Sequence, residues 1–336
     1  MTEQEKPVLG ITVGDVAGIG PEIIAKACLE PEIYHLCRPI LIGDVKIFQD
    51  SKRFPVKSFT IKVINKPSEA VFEFGRINII NVDNIIMDEL KIGQVQKMCG
   101  KAAVEYIKEA VRLAMAGEIA GVVTAPISKE AMHLAGFKYN GHTELLAELT
   151  NTSKYVMLLT GGTLKVILLT RHMALKDVSK NITMEKLTEA IELGDKGLRF
   201  FGIDSPRIVI CSVNPHMGEG GILGNEEKDI LIPAVNQAKK KGFHVDGPIS
   251  SDSAFYYAAG GKYDLAIAMY HDQGMIPIKL LAYKRGVNMT LGLPFVRTSP
   301  CHGTAYDLAG KWVADSGSML EALKVAAKAC RFANKH

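Results

Sequence analysis

The chain has 336 residues, a formal net charge of +4, and 47% hydrophobic residues. This length predicts two domains or one large one, with enough apolar residues for sizeable cores. The small positive charge comes without a polybasic tail, so nucleic-acid binding is not indicated, and it equally suits an anionic small substrate. The six cysteines are scattered without CxxC spacing, which predicts neither a zinc ribbon nor a redox pair.

The expected cellular location follows from what the sequence lacks. The first six residues include three charged side chains and carry no apolar signal region. No apolar run reaches the length of a membrane span. Scattered cysteines, read as reduced thiols, fit the cytosol. We therefore expect a cytoplasmic protein.

The first part of the chain alternates apolar strands with helical patterns. Strands are predicted at 8–13, 40–44, 59–64, 77–82 and 121–126, and a helix at 101–116. Such alternation predicts an α/β fold with a largely parallel sheet. The first strand enters a glycine-rich loop at 14–22, but glycines at 14, 18 and 20 do not match the G-x-G-x-x-G dinucleotide fingerprint. A tight structural turn is the simpler interpretation of this loop, and a phosphate cradle is the alternative.

Further along, a helix is predicted to begin near His142 and Thr143. Thr143 could cap this helix and His142 would lie at its positive end, where simple capping competes with anion binding. Asn288 and Arg297 flank a predicted apolar strand, and Arg297 can hold a carboxylate or phosphate in a two-pronged hydrogen bond. The remaining predicted elements are a hairpin at 157–169 and helices at 184–201, 225–241, 254–259 and 319–332.

Three apolar strands each run into a histidine. Residues 166–170 precede His172, residues 208–213 precede His216, and residues 265–270 precede the pair His271-Asp272. If these strands share one sheet, the three imidazoles can converge at one edge. Three histidines with a carboxylate nearby can hold a divalent ion. The alternative is that they are ordinary loop residues at strand ends.

These motifs, in this order, resemble the 4-hydroxythreonine-4-phosphate dehydrogenase family of pyridoxal phosphate biosynthesis, including its 4-phospho-D-threonate dehydrogenase branch. The resemblance covers essentially the whole chain. The opening loop and the turn at 302–305 are also similar to the isocitrate and isopropylmalate dehydrogenases, which likewise lack the G-x-G-x-x-G fingerprint. The segments that carry the resemblance are 14–22, 141–144, 214–219, 269–274, 291–294, 297–299 and 302–305.

The resemblance implies an architecture of two α/β/α domains with the active site in the cleft between them. Residues 1–127 and 295–336 would form the domain that carries both termini and the cofactor side. Residues 128–294 would form a middle domain with the metal and substrate residues and the dimer interface. A homodimer would share its metal sites between subunits.

The resemblance also implies roles for individual residues. The implied metal ligands are His172, His216 and His271, holding Zn, Mg, Co, Mn or Ni. The implied substrate-binding residues are His142, Thr143, Lys279, Asn288 and Arg297. Either Lys279 or Asp272 would accept the hydroxyl proton. The cofactor, NAD or NADP, would lie near Gly14, Asp15, His302, Gly303, Thr304 and Asp307.

The implied reaction is oxidation of the C3 hydroxyl of 4-hydroxythreonine-4-phosphate, followed by decarboxylation to 3-amino-2-oxopropyl phosphate. The alternative substrate is 4-phospho-D-threonate, giving dihydroxyacetone phosphate, because segments 124–129 and 275–280 look closer to that branch. Segments 218–221 and 285–288 instead look like the vitamin-pathway enzymes. Cys301 stands where the family usually has Asp, which affects the expected cofactor contacts. Two further alternatives are a non-redox protein that binds a phosphate ligand and a zinc hydrolase built on the three histidines.

Overall fold

The computed structural model describes residues 6–50 and 59–333. The chain divides into two compact units, and elements are numbered in chain order across both. The first unit comprises the chain up to Ser153 and again from Leu293, and the second comprises Lys154–Gly292.

The sheet of the first unit is parallel throughout its described strands. Its order is β3-β4-β2-β1-β5-β12, where β1 is Val8–Thr12, β2 Arg38–Gly43, β3 Thr60–Ile64, β4 Arg76–Asn81, β5 Gly121–Thr124 and β12 Val296–Pro300. The central strands are continuous apolar runs that are almost wholly buried. Such runs are typical of parallel sheets covered on both faces.

Helices cover this sheet in two groups. The helices are α1 (Gly20–Cys28), α2 (Pro31–Leu36), α3 (Val45–Gln49), α4 (Lys97–Met115), α5 (Lys129–Leu134), α6 (His142–Leu149) and α12 (Gly317–Ala333). Helix α4 packs on β1, β2 and β5, with α5 and α6 against it. Helix α12 packs on β12, β5 and β1, with α1 and α2 against it. The sequence-predicted parallel α/β arrangement is therefore present in this unit.

Residues 128–153 lie in the first unit, whereas the sequence placed them in the middle domain. Met132 of α5 and Leu145 and Leu146 of α6 are buried in one apolar cluster with Val104 and Ile107 of α4. This cluster joins the segment to α4, so the unit boundary follows Ser153 rather than residue 127.

The sheet of the second unit is mixed. Its order is β11-β6-β7-β10-β8-β9, where β6 is Val156–Gly161, β7 Leu164–Leu168, β8 Ile208–Cys211, β9 Val245–Ile249, β10 Leu265–Ala268 and β11 Val287–Leu291. The predicted hairpin forms β6 and β7, and β11 pairs antiparallel with β6. Strands β7, β10, β8 and β9 are parallel. The parallel half resembles the first sheet, and its strand ends carry the histidines.

The helices of the second unit lie against this sheet in two sets. They are α7 (Val178–Asn181), α8 (Met184–Arg199), α9 (Ile232–Lys240), α10 (Ser251–Ala259) and α11 (His271–Ala282). Helix α8 packs on β6, β10 and β11 and carries α9, whereas α10 and α11 pack on β7 and β10. Short 3-10 segments occur at Pro67–Glu69, Met87–Glu89, Leu175–Asp177 and Pro215–Gly221, and a π-helical turn occurs at Glu227–Leu231.

The single strand predicted between Asn288 and Arg297 is in fact two strands. Asn288 lies within β11 of the second unit and Arg297 within β12 of the first. Pro294 stands between them, and because proline has no N–H to donate to a ladder, a continuous strand is not formed there.

Two properties of the described residues bear on the cellular expectations. None of the described helices combines the length and the apolar character that crossing a membrane would take. All six cysteines are free thiols, and five of them are buried.

Candidate active site

The three histidine-bearing strands are neighbours in one sheet, as predicted. Strand β10 lies between β7 and β8, with Ala268 paired to Leu168 and Ile267 paired to Ile210. Because the three strands are parallel, their carboxyl ends lie at the same edge, where α/β sheets usually bind ligands.

His172 and His271 lie close together beyond this edge. Their ring centroids are 5.5 Å apart with an interplanar angle of 44°. His271 is the first residue of α11, and its Nδ1 lies 2.7 Å from Asp272 Oδ1. A carboxylate only accepts hydrogen bonds, so Nδ1 is the donor, and in the neutral form of the ring Nε2 has the free lone pair. A ring oriented in this way has the form of a metal-ligating histidine with a carboxylate behind it.

His216 does not join this pair within one chain. Among residues 6–50 and 59–333, no three His, Cys, Asp or Glu side chains are grouped so that they could hold a metal ion. The expected convergence of three imidazoles is therefore not found in the single chain. The reason is local, since His216 lies beyond β8 in the exposed turn Pro215–Gly221, whereas His271 follows β10 directly at the start of a helix. The assignment of the three histidines as metal ligands stays a prediction.

The turn that carries His216 has an uncommon backbone. His216, Met217 and Glu219 have φ values of 52°, 56° and 45°, and Gly218 and Gly220 have 77° and 68°. The left-handed conformation costs roughly 1–2 kcal/mol for each residue with a Cβ. Such a turn persists only when its surroundings hold it in place.

Gly218 is required in this turn by space as well as by its backbone angles. A Cβ built there would lie 2.7 Å from the Gly224 carbonyl oxygen and 3.0 Å from Glu227 Oε2. The close approach of Glu227 shows that its carboxylate packs directly under the turn. The sequence analysis assigned no role to Glu227.

Gln273 fixes the beginning of α11 to two strand ends. Its Oε1 accepts a hydrogen bond from Met269 N at 2.6 Å, and its Nε2 donates to the Ser212 carbonyl and to Ser251 Oγ, both at 2.8 Å. Met269 follows β10, Ser212 follows β8 and Ser251 begins α10. All of these contacts orient the helix start that carries His271. The only sequence signal for this role was an amide inside the His-Asp-Gln-Gly motif.

A buried cation lies in the first unit at Arg297. Its side chain is 1% exposed, and Nη2 donates to Thr124 Oγ1 at 2.7 Å. Burial lowers the pKa of Arg297 to about 10, while the nearby Cys301 and Glu144 act to raise it. The guanidinium therefore remains protonated at neutral pH.

His142 is a neutral imidazole beside this cation. Burial, and then the positive charge of Arg297, hold the pKa of His142 well below its ordinary 6.5. Nε2 of His142 is buried and has no hydrogen-bond partner among the described residues. An uncharged ring with an open nitrogen next to a buried cation suits an anionic ligand that also offers a hydrogen bond.

Thr143 does not cap the following helix. Gly141 occupies the N-cap position, and α6 begins at His142, so Thr143 lies buried in the first turn. His142 is at the positive end of α6, as expected.

Other predicted substrate residues lie in the second unit. Asn288 Oδ1 is buried without a hydrogen-bond partner in the described part of the chain. Lys279 is exposed in the last turn of α11. Arg171, which precedes His172, was missed by the sequence analysis. Its Nη1 is also buried and unpartnered there, and its guanidinium lies 5.4 Å from the centre of the Tyr155 ring.

The two predicted cofactor loops of the first unit pack against each other. Ile19 N donates to the Thr304 carbonyl at 2.9 Å, and Tyr306 OH donates to Asp15 Oδ2 at 2.7 Å. Asp15 is fully buried, its Oδ1 accepts from Ala17 N at 2.9 Å, and burial raises its pKa. Oδ1 of Asp15 is therefore bonded within its own loop and Oδ2 joins the two loops, and this geometry does not support a direct cofactor contact.

The remaining predicted cofactor residues lie in the same two loops. Gly14 precedes Asp15, while His302, Gly303 and Asp307 are exposed around Thr304. Their accessibility is compatible with a nucleotide, and their contacts with a cofactor stay a prediction. Cys301, which stands beside them, is half-buried, and its N–H donates to Ser318 Oγ at 3.2 Å.

Comparison with known proteins defines the class. The model of the family "Pyridoxal phosphate biosynthetic protein PdxA" matches residues 35–326. The D-threonate 4-phosphate dehydrogenase of Cupriavidus necator is 43% identical over 323 residues, covering 96% of this chain and 97% of the relative. A 4-hydroxythreonine-4-phosphate dehydrogenase from Klebsiella pneumoniae superposes with a TM-score of 0.90 at 40% identity, covering 97% and 98% of the two chains. One from Burkholderia phymatum gives 0.85 at 44% identity, covering 96% and 98%.

The fold and these relatives thus define a protein of two α/β units whose named relatives are dehydrogenases. The chain belongs to the PdxA family of pyridoxal phosphate biosynthetic proteins. It is a dehydrogenase, as the motifs predicted and as its named relatives are. The predicted α/β fold is confirmed by the close superposition on the two solved relatives.

Proposed function

We propose that the chain oxidises the C3 hydroxyl of D-threonate 4-phosphate, which is the same compound as 4-phospho-D-threonate, with NAD or NADP and a divalent metal. The oxidised product would then lose carbon dioxide to give dihydroxyacetone phosphate. The name of the Cupriavidus necator relative, at 43% identity, supports this substrate. The segments 124–129 and 275–280, which look closer to the same branch, support it independently.

The observation that carries the proposal is the approach of His172 and His271, with Asp272 orienting the second ring. The two imidazoles and this outer carboxylate fit two ligand positions of a divalent ion. A bound divalent ion would lower the pKa of the substrate hydroxyl and polarise the developing carbonyl. His216 is the proposed third ligand, and the resemblance places it in a site shared with a second subunit.

The polar groups described above would bind the substrate. Arg297 supplies a buried positive charge and His142 an open ring nitrogen, and together with Thr143 they are proposed to bind an anionic group of the substrate. Asn288 would donate and accept through its buried amide. Lys279 would contact the substrate through its side-chain amino group. The nicotinamide cofactor supplies the hydride acceptor.

The structure favours different roles for the two proton-acceptor candidates. Asp272 Oδ1 already accepts from the His271 ring at 2.7 Å. We therefore assign Asp272 to orienting His271 and Lys279 to moving the hydroxyl proton. Replacing Asp272 with Asn should weaken metal binding as well as turnover, whereas replacing Lys279 with Met should lower turnover and leave the metal affinity near normal.

The second candidate substrate is 4-hydroxythreonine-4-phosphate, giving 3-amino-2-oxopropyl phosphate. The names of the solved Klebsiella pneumoniae and Burkholderia phymatum relatives, at 40% and 44% identity, favour it. The two substrates differ only in an amino group or a hydroxyl at C2. Contacts to that position decide between them.

A homodimer is also part of the proposal. On a single chain, α11 and the residues after it expose large apolar side chains, with Ile276 58%, Leu280 81%, Leu281 55% and Tyr283 77% exposed. An apolar surface of this kind suits a protein interface. A second copy of this chain would cover it beside the proposed metal ligand His271.

The proposed location is the cytoplasm. All six cysteines are free thiols in the structure. Free thiols are the usual state of cysteines in a reducing compartment.

The deciding experiment follows NADH or NADPH formation at 340 nm with each of the two substrates and each cofactor, using protein loaded with Zn, Co or Mn. We expect turnover of D-threonate 4-phosphate that disappears with a chelator and returns when the metal is restored. Preference for the amino substrate would select the second candidate. Binding of a phosphorylated ligand with no formation of NADH or NADPH would support the non-redox alternative. Hydrolysis in the absence of cofactor would support the zinc hydrolase.

A further inference from the structure

A buried carboxylate holds the turn that carries His216. Glu227 is 3% exposed, and its Oε1 accepts the backbone N–H groups of Val213 and Asn214, each at 2.8 Å. Its Oε2 accepts from Asn214 Nδ2 at 3.0 Å. These three donors come from the residues that lead from β8 directly into the turn.

A neighbouring carboxylate extends the contacts to the segment after His172. Glu226 Oε2 accepts from Asn214 Nδ2 at 2.7 Å, and its Oε1 accepts a short hydrogen bond from Ser179 Oγ in α7. The hydrogen bonds from Ser179 and Asn214 lower the pKa of Glu226, which keeps it ionised. One network therefore links the approach to His216 with the helix that follows the His172 segment.

The network lies where the left-handed turn requires support from its surroundings. Five successive left-handed residues are not a conformation that the chain adopts unaided. Glu227 packs under Gly218 in the middle of the turn while binding the backbone before it. Glu226 precedes the π-helical turn Glu227–Leu231, Glu227 begins it, and the turn leads into α9. Such turns are frequent near functional sites.

We propose that Glu227, assisted by Glu226, is a positioning residue that presents His216 for metal binding by fixing the left-handed turn. This inference rests on the proposed function, in which His216 is a metal ligand. Glu227 itself contacts backbone and amide groups and has no proposed contact with substrate or metal.

The test compares Glu227→Gln with a matched buried glutamate in the other unit. In Glu227→Gln one amide N–H₂ replaces an acceptor, so a donor faces either the backbone N–H groups or Asn214 Nδ2. Glu22 is 5% exposed, and its Oε1 accepts from Ala314 N at 2.7 Å and from Lys26 Nζ at 2.8 Å, so Glu22→Gln makes the same chemical change away from the histidines. The readouts are the Co²⁺ dissociation constant by chelator competition, the visible spectrum of the Co²⁺ protein, and the urea midpoint of the metal-free chain.

We expect Glu227→Gln to weaken Co²⁺ binding by about tenfold or more and to change the visible spectrum, as loss of an outer-shell contact does in other metal sites. Glu22→Gln should lower the urea midpoint and leave the dissociation constant unchanged. A Glu227→Gln chain that folds and binds Co²⁺ within about twofold of the wild type would overturn the inference.

Two further variants keep the outcome interpretable. If Glu227→Gln does not fold, Ser179→Ala removes only the link to Glu226 and should weaken Co²⁺ binding about threefold, while normal affinity in that variant would also overturn the inference. His216→Ala distinguishes failure of the metal assignment from failure of the positioning role. If it leaves Co²⁺ affinity unchanged, the proposed metal assignment fails, whereas a loss in His216→Ala with none in Glu227→Gln refutes only the positioning role.

Discussion

Arg297 and His142 show how burial sets the chemistry of individual residues. The guanidinium keeps its charge although it is 1% exposed, and burial, together with that charge, keeps the neighbouring imidazole neutral. A neutral ring does not add to the positive charge of the pocket, and it can either donate or accept a hydrogen bond. These two residues therefore supply one charged and one uncharged contact for an anionic substrate.

Replacing Arg297 tests the charged contact. Arg297→Lys keeps the charge but loses the planar fork, so we expect the KM for the phosphorylated substrate to rise by about tenfold, with a smaller change in kcat. Steady-state kinetics with either cofactor provides the measurement. Arg207→Lys is the control, because Arg207 makes a similar two-pronged contact with Asp264 on the surface. A change confined to the KM of the cofactor would show that Arg297 is wrongly placed.

The state of His142 predicts a pH dependence of stability. Because the pKa of His142 is lower in the folded chain than its ordinary 6.5, the unfolded chain binds a proton that the folded chain does not. This contribution to stability is complete above about pH 6.5 and is lost as the pH falls from there toward the folded pKa. The free energy of unfolding in urea, measured from pH 8 to pH 5, should fall less steeply for His142→Gln than for the wild type. Equal slopes would contradict a neutral buried His142.

At the scale of elements, α11 is held to the sheet by close packing as well as by Gln273. A Cβ at Gly274 would lie 2.5 Å from Leu168 Cδ2 and 2.8 Å from Val166 Cγ1. Only a residue without a side chain lets the helix start so close to β7. The close contact of Gly274 with β7 sets the position of His271, three residues earlier in α11. His271 thereby lies next to His172, beyond the ends of the paired strands β7 and β10.

Gly274→Ala should therefore be destabilising although alanine favours helices. We expect a loss of about 1–3 kcal/mol in the free energy of unfolding, typical of overpacking in a core. The double variant Gly274→Ala with Leu168→Val should be less destabilised than the sum of the single variants, because the nearer clash is removed. Strictly additive effects in urea unfolding would show that the helix relaxes away from β7 instead.

At the scale of the whole molecule, the single chain presents two neighbouring histidines that are proposed metal ligands and an exposed apolar surface. The described residues group two histidines but no third ligand. The apolar side chains of α11 and Tyr283 lie on the helix that begins with one of those histidines. Both features agree with the proposed homodimer, in which two copies would complete each other's metal sites.

Charges placed on this surface should separate the subunits. Leu280→Glu combined with Tyr283→Glu is expected to give monomers in sedimentation equilibrium and to abolish tight Co²⁺ binding. Val313→Glu, at a 63% exposed apolar position in the first unit, is the control and should change neither property. Monomers that retain full Co²⁺ affinity would refute a shared metal site.

Much of this architecture could be predicted from local sequence. Continuous apolar runs fixed the parallel strands and placed His172, His216 and His271 at one sheet edge, since those patterns depend on burial and on strand periodicity. The family motifs likewise identified the dehydrogenase class. Local patterns failed where packing decides, as for residues 128–153, which join the first unit through α4, and for the segment 287–300, which is two strands.

Only the tertiary structure decided how the site residues are held and what state they are in. The neutrality of His142 and the bond from Tyr306 to Asp15 depend on groups distant in sequence, and the contact of Glu227 with Gly218 depends on how the chain folds back between them. A sequence specifies which side chains are present and in what order. Desolvation, hydrogen-bond partners and the approach of one backbone to another arise only when the chain is folded, and these determine the charge and orientation of each group.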